Sequence, residues 1–276
     1  MAIRERNHGT VLITGASAGI GHALALEFGG RAETLVLVAR RLERLEKLRD
    51  ELLGRYPELQ VVVLAADLSD EHEIERLLAK VSEQAGAVDV LVNNAGSGDS
   101  VLFDRSDWKR TRQVLRTNIS GVAQLASALV PGMVKRGRGG VLNIGSGAGL
   151  TVLPNAAAYV GSKHFVAGFS EALRADLSGT GVTVTEVCPG TVESEFDQVA
   201  GSPGGMIGTP PRFFRITAAQ CAREALAGFE RGEPRVFPGR AYRFVMKMLP
   251  LFPMWMRRKQ APNIAGRLRA GQIIGR

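Results

Sequence analysis

Short apolar runs rich in β-branched residues alternate along this chain with longer segments of helical periodicity, six to seven times over. Thr10–Thr14, Leu35–Ala39, Val61–Ala65, Val88–Val92, Val141–Ile144 and Val182–Val187 read as buried strands, and Arg235–Phe237 as a short seventh. Between them, helical spacing covers Ala23–Phe28, Leu42–Leu53, about Glu71–Gln84, Trp108–Lys135, Ala156–Leu177 and Thr217–Arg231. Strands that are apolar throughout must be covered on both faces, and successive parallel strands need a crossover between them. The alternation predicts an α/β fold: a single-domain, doubly wound parallel sheet of six to seven strands with helices on both faces. A length of 276 residues suits one such unit. Ligands of an open parallel sheet meet the carboxyl ends of its strands, so those ends are where function is sought.

The first strand runs into Thr14-Gly15-Ala16-Ser17-Ala18-Gly19-Ile20-Gly21 and then into a helix. That order suits a dinucleotide. Gly15 permits the tight turn, Gly19 lets a pyrophosphate approach the backbone, and Gly21 lets the helix pack closely on the sheet. Ser17, Ala18 and Ile20 place free N–H groups at the helix start. The spacing Gly-x-x-x-Gly-x-Gly departs from Gly-x-Gly-x-x-Gly, and a merely flexible turn is the alternative. The second strand ends at Arg40 and Arg41 rather than at a carboxylate, which suits the 2′-phosphate of NADP(H) rather than the free ribose hydroxyl of NAD(H). The two arginines could instead only open the solvated helix that follows, although arginine in a first helical turn opposes the dipole. The third strand ends at Asp67-Leu68, where the carboxylate can reach an adenine or cap the next helix, as Ser69 or Asp70 would equally do. The fourth runs into Asn93-Asn94-Ala95-Gly96: adjacent amides that can cross-bond strands, beside small residues that leave room for a cofactor.

Tyr159 and Lys163 stand four residues apart in a predicted helix, so both leave one face. An ammonium beside a phenol favours the phenolate, and the pair can exchange a proton with a carbonyl or alcohol oxygen. Ser146 ends the fifth strand. Asn118 falls inside the predicted helix 108–135, where asparagine is a poor choice; it is either a structural hydrogen-bond hub or part of a site.

These residues together resemble the short-chain dehydrogenase/reductase family, whose order Thr14–Gly21, Asn93–Gly96, Asn118, Ser146, Tyr159-x-x-x-Lys163 and Pro189-Gly190 follow over about residues 8–240. The resemblance implies a Rossmann fold and an NADP(H)-dependent oxidoreductase. It makes Tyr159 the general acid/base, and Lys163 a ribose ligand that lowers the phenol's pKa. It gives Ser146 the substrate oxygen and Asn118 a relay water. Pro189, Gly190 and Val192 would shape the nicotinamide pocket, with Gly15–Gly21, Arg40, Arg41, Asp67, Leu68, Asn94, Ala95 and Gly96 holding the rest of the cofactor. A homodimer or homotetramer is a further implication. Ser194 stands where the family often has threonine. A catalytically idle dinucleotide-binding protein is the competing class, but such a chain would be expected to have lost Ser146, Tyr159 or Lys163, and all three are present.

Composition narrows the partners. The net charge of +8 belongs to the C-terminus: residues 231–276 hold eleven Lys/Arg and one acidic residue, which leaves residues 1–230 slightly acidic. Two cysteines and four scattered histidines have no metal-ligand spacing, so no metal is expected and the thiols read as reduced, in a cytoplasmic protein. No signal-peptide pattern opens the chain. Residues 193–215, rich in Gly and Pro, read as a substrate-loop excursion from a domain spanning 1–240. Residues 241–276 form a basic, apolar tail unlike the short ending of β-ketoacyl-carrier-protein reductases and more like the hydroxysteroid and long-chain acyl reductase branches. Its Met, Phe and Trp side chains suit a lid or dimer contact. Its charge suits an anionic membrane surface, though Pro250 and Pro253 interrupt a continuous helix. Nucleic acid is not an expected partner. A lipophilic ketone or secondary alcohol is the expected substrate.

Overall fold

In the computed structural model, residues 8–193, 214–251, 255, 258, 262–263, 265–266 and 269–270 are described. The chain runs β1 (Thr10–Thr14), α1 (Gly19–Gly29), β2 (Thr34–Ala39), α2 (Leu42–Arg55), β3 (Gln60–Ala65), α3 (Glu71–Ala85) and β4 (Val90–Asn93). It continues through α4 (Trp108–Leu115), α5 (Gly121–Arg136), β5 (Gly139–Ile144), α6 (Ala157–Asp176) and β6 (Val182–Val187). The last elements are β7 (Thr191–Glu193), β8 (Arg215–Thr217), α7 (Ala218–Glu230), β9 (Arg235–Val236) and α8 (Arg240–Met248). Seven strands form one parallel sheet in the order β3-β2-β1-β4-β5-β6-β9. The chain winds outward from β1 to β3, then returns to β4 on the other side of β1. This reversal opens a crevice between the β1 and β4 ends.

Each face of the sheet has its own core. Leu45, Leu48 and Leu52 recur along one stripe of α2 and are buried with Leu24 and Phe28 of α1 and Leu226 and Phe229 of α7. On the other face Ile74, Leu77 and Val81 of α3 meet Leu125, Val130 and Met133 of α5. Burying each such side chain contributes about 2 kcal/mol.

Two local readings are corrected. The helix predicted over Trp108–Lys135 is interrupted by a π turn at Arg116–Ser120, where the Gly121 N–H reaches back to Arg116 O. Periodicity alone does not register one inserted residue in a helix. The short parallel pair β7–β8 was absent from the strand reading, because three-residue runs carry too little periodicity. Most of the 193–215 excursion, Ser194 included, lies outside the described residues, as does much of the tail beyond Leu251.

Candidate active site

The carboxyl ends of the central strands surround a cavity of about 680 Å³ whose lining runs from Arg40 and Arg41 to Tyr159 and Lys163. At its β1 end Gly15 and Gly19 have φ of 66° and 58°, in the left-handed region that favours glycine. A Cβ on Gly21 would overlap Asn94 Nδ2 and Gly15 O. Helix α1 starts with Ala18 at its N-cap, no side-chain cap and no acidic residue in its first turn. Ser17, Ala18, Gly19 and Ile20, at this uncapped start, line the cavity, and a helix N-terminus offers free N–H groups to an anion. An uncapped helix start, a cradle that side chains would fill, and a cavity of this size fit a dinucleotide.

Asn93 and Asn94 cross-bond the strands. Asn93 Nδ2 donates to Asn143 Oδ1 at 2.9 Å, and Asn94 Nδ2 donates to Thr14 O at 2.8 Å and Gly15 O at 3.2 Å. Thr14, which the strand reading treated only as part of the motif, is the centre of this joint. Its hydroxyl accepts from the Asn94 and Ala95 N–H groups, both at 3.0 Å, and donates to Val92 O at 3.1 Å. Asn94, Ala95 and Gly96 line the cavity from this joint.

Arg40 and Arg41 are exposed at the cavity's β2 end. Arg41 is the N-cap residue of α2 without a side-chain cap bond, and its Nη2 lies 3.4 Å from Ser17 Oγ. The arginines thus precede the first turn of α2 rather than occupy it. Asp67 and Leu68 also face the cavity. Asp70 caps α3, accepting from the His72 and Glu73 N–H groups, while Asp67 accepts from the Ser69 N–H at 2.9 Å.

At the other end α6 presents Tyr159 and Lys163 together. Lys163 Nζ lies 5.8 Å from the Tyr159 ring centroid and donates to Ile144 O at 2.8 Å. Burial pushes the Lys163 ammonium down to about 8, against the opposing pull of Glu186 and Cys188. Ser146 caps the short turn Gly147–Leu150, its Oγ accepting from the Ala148 N–H at 3.1 Å, which leaves its O–H to donate elsewhere. Asn118 is buried in the π turn as a hub: Oδ1 accepts from the Ser97 N–H, and Nδ2 donates to Ser97 O and Ser162 Oγ, all at 2.9 Å. Ser162 in turn donates to Tyr159 O at 2.7 Å. These bonds make Asn118 a structural hub; it is not among the residues that line the cavity, although its Oδ1 and Lys163 Nζ lie 3.5 and 3.8 Å from where a Cβ on Gly96 would be. Pro189, Gly190 and Val192 complete the lining on the β6 side.

The cavity includes residues that no motif marked: Thr151, Leu153 and Phe214, and Tyr242, Val245 and Met246 from α8. For α8 the sequence carries two signals: the Met-rich apolar tail that suits a lid, and the glycines Gly147 and Gly190 that α8 packs against. Cys188 and Cys221 are buried free thiols. Among the described residues no group of three or more His, Cys, Asp or Glu could hold a metal ion.

Comparison with known proteins agrees with this geometry. The family described as short chain dehydrogenase matches residues 9–203. The chain is 39% identical to the sulfoacetaldehyde reductase of Chromohalobacter salexigens over 219 residues, covering 78% of this chain and 83% of that one. A short-chain dehydrogenase from Sphingobium yanoikuyae in complex with NADPH superposes with a TM-score of 0.76 at 32% identity, over 83% of this chain and 87% of that one. The bulky-bulky ketone specific alcohol dehydrogenase from Comamonas testosteroni gives 0.76 at 27% identity, over 89% and 92%.

Proposed function

Because this chain belongs to the short-chain dehydrogenase family and is an oxidoreductase, we propose that it reduces a lipophilic ketone, or oxidises the matching secondary alcohol, with NADP(H). NADP(H), when bound, supplies or accepts the hydride. In this reading Tyr159 gives the proton to the carbonyl oxygen or takes it back. Lys163 bonds the nicotinamide ribose and favours the phenolate. Ser146 donates its free O–H to the substrate oxygen, and Asn118 Oδ1 with Lys163 Nζ holds the relay water in the space above Gly96. Arg40 and Arg41 bind the 2′-phosphate. Gly15–Gly21, Asp67, Leu68 and Asn94–Gly96 hold the remaining cofactor, and Pro189, Gly190 and Val192 the nicotinamide. Residues 1–240 carry this chemistry, while Tyr242, Val245 and Met246 of the tail add substrate-facing surface.

The observation that carries the substrate class is the charge of the lining. Among the described residues the cavity's cations are Arg40 and Arg41 at one end and Lys163 beside Tyr159. No arginine or lysine among them serves a sulfonate or carboxylate at the substrate end, where Leu153, Phe214, Val245 and Met246 stand. That supports a neutral, apolar substrate. The test is NADPH oxidation across ketones graded by chain length, with sulfoacetaldehyde as the anionic comparison. Turnover rising with apolar bulk is expected; turnover confined to small polar or anionic carbonyls overturns the substrate class. NADPH binding without turnover across the panel would favour the idle, cofactor-sensing alternative.

A second reading concerns the tail. No helix among the described residues is long and apolar enough to cross a membrane. Phe244, Leu251 and Trp255 are exposed beside Lys247 and Arg258, which supports peripheral contact with anionic lipid at the cytoplasmic face. Flotation of the full chain, but not of a chain ending at residue 240, with anionic liposomes is the expected result. Equal failure of both to float removes this reading. A homodimer or homotetramer is proposed for the assembly, and light scattering of the purified chain would read it.

A further inference from the structure

Helix α8 packs on two glycines, Gly147 after β5 and Gly190 after β6, in neighbouring turns that line the cavity. A Cβ on Gly147 would overlap Tyr242 Oη, and one on Gly190 would lie 2.9 Å from Tyr242 Cε2. Neither turn accepts a side chain while Tyr242 occupies its place. The Tyr242 hydroxyl donates to Pro189 O at 3.4 Å, and the same carbonyl accepts from the Gly147 N–H at 3.1 Å. One carbonyl thus joins the turn after β5, the turn after β6 and the tail. The Tyr242 ring is braced edge-on by Phe237, with centroids 6.4 Å apart. Next to it Arg243 bonds Phe237 O at 3.1 Å and pairs with Glu224 of α7, which anchors α8 to the core. Tyr242, Val245 and Met246 then face the cavity. Burial, with the nearby Cys188, Tyr159 and Glu186, pushes the Tyr242 phenol well above its ordinary value, so its hydroxyl stays a donor at any working pH.

We propose that Tyr242 is a substrate-selecting and positioning residue: its ring limits the size of the carbonyl's larger substituent, and its hydroxyl holds the Ser146–Gly147 turn against Pro189–Gly190. This rests on the ketone-reductase reading above. The tail thereby sets which ketones reach Tyr159, although it carries none of the family's motif residues.

Three variants test the two parts separately. Tyr242→Phe keeps the ring and removes the bond to Pro189. It should lower kcat by roughly threefold to tenfold, the worth of one neutral hydrogen bond, while leaving the ranking of ketones by size unchanged. Tyr242→Leu and Tyr242→Ala shorten the ring. They should raise the ratio of kcat/KM for a ketone with two bulky substituents to that for a methyl ketone by about tenfold or more. NADPH affinity, read by fluorescence, should stay within about twofold. A merely structural residue would lower both ketones' kcat/KM together, so an unchanged ratio in the Leu and Ala variants overturns the selecting role. Unchanged kcat in the Phe variant overturns the positioning role. If Ala loses the fold by thermal melting, Leu decides. If the wild-type chain binds NADPH but turns over no ketone, it is the ketone-reductase reading that fails. The size limit is then read from quenching of bound NADPH by the two ketones, and a limit unaltered in Tyr242→Leu still overturns the proposal.

Discussion

Lys163 Nζ donates to the main-chain oxygen of Ile144 at 2.8 Å, which ties α6 to the end of β5 directly beneath Gly145 and Ser146. The ammonium is therefore held by the sheet as well as by its own helix. The arrangement has an electrostatic cost. Lys163 is buried, and desolvation lowers it from 10.5 to about 8, with Glu186 and Cys188 pulling the other way.

That cost has a definite sign. The unfolded chain holds the lysine proton more tightly than the folded one, so stability rises with pH between about 8 and 10.5, and the cost is fully present below about 8. A fall from 10.5 to about 8 corresponds to about 3 kcal/mol. Lys163→Met removes the titrating group. The stability of wild type relative to this variant should therefore grow by about 2–3 kcal/mol between pH 7 and pH 10.5. Denaturant unfolding at the two pH values reads it, and a pH-independent difference would show that Lys163 is not desolvated.

The glycine cradle predicts a localised failure. A Cβ on Gly21 would overlap Asn94 Nδ2 and Gly15 O, displacing the amide that bonds Thr14 O and Gly15 O. Gly21→Ala should destabilise the fold by about 1–3 kcal/mol and weaken NADPH binding about tenfold or more. Gly54→Ala is the control, because nothing lies within 4 Å of its Cβ in the exposed part of α2. It should be neutral or stabilising by about 0.5–1 kcal/mol. Equal effects at the two positions would refute the overlap argument.

The proposed 2′-phosphate site lies at the β2 end of the cavity. Replacing Arg40 and Arg41 together by alanine should raise the KM for NADPH by roughly tenfold to a hundredfold and leave that for NADH nearly unchanged, the worth of one or two charge-assisted phosphate bonds. An unaltered preference removes both arginines from the 2′-phosphate site.

Tyr159→Phe should lower ketone turnover by about a hundredfold to ten-thousandfold, the range of general acid catalysis, with NADPH binding preserved. Near-wild-type turnover would move the proton donor elsewhere in the cavity.

Much of the site was legible in the sequence. Gly15, Ser17–Ile20, Asn94–Gly96, Ser146, Tyr159 and Lys163 are marked by residue type and by their place at strand ends, and the structure gathers them on one cavity, while Gly21 is buried behind it against Asn94. Local backbone chemistry is what made them readable: a positive φ at Gly15 and Gly19, and a four-residue step along α6. Asn118 was visible as an anomaly, but not its π turn or its bonds to Ser97 and Ser162, which lie 21 and 44 residues away along the chain.

The sequence by itself determined the parallel sheet, because apolar β-branched runs separated by amphipathic helices can be buried in few other ways. It also determined the residue types at the strand ends. Only the tertiary structure decided that α8 returns to the site and sets Tyr242 on Gly147 and Gly190. That contact joins Tyr242 to turns 95 and 52 residues earlier through shape and one shared carbonyl, and neither leaves a periodic trace. Side-chain periodicity reports which face of an element is buried; it does not report which partner buries it.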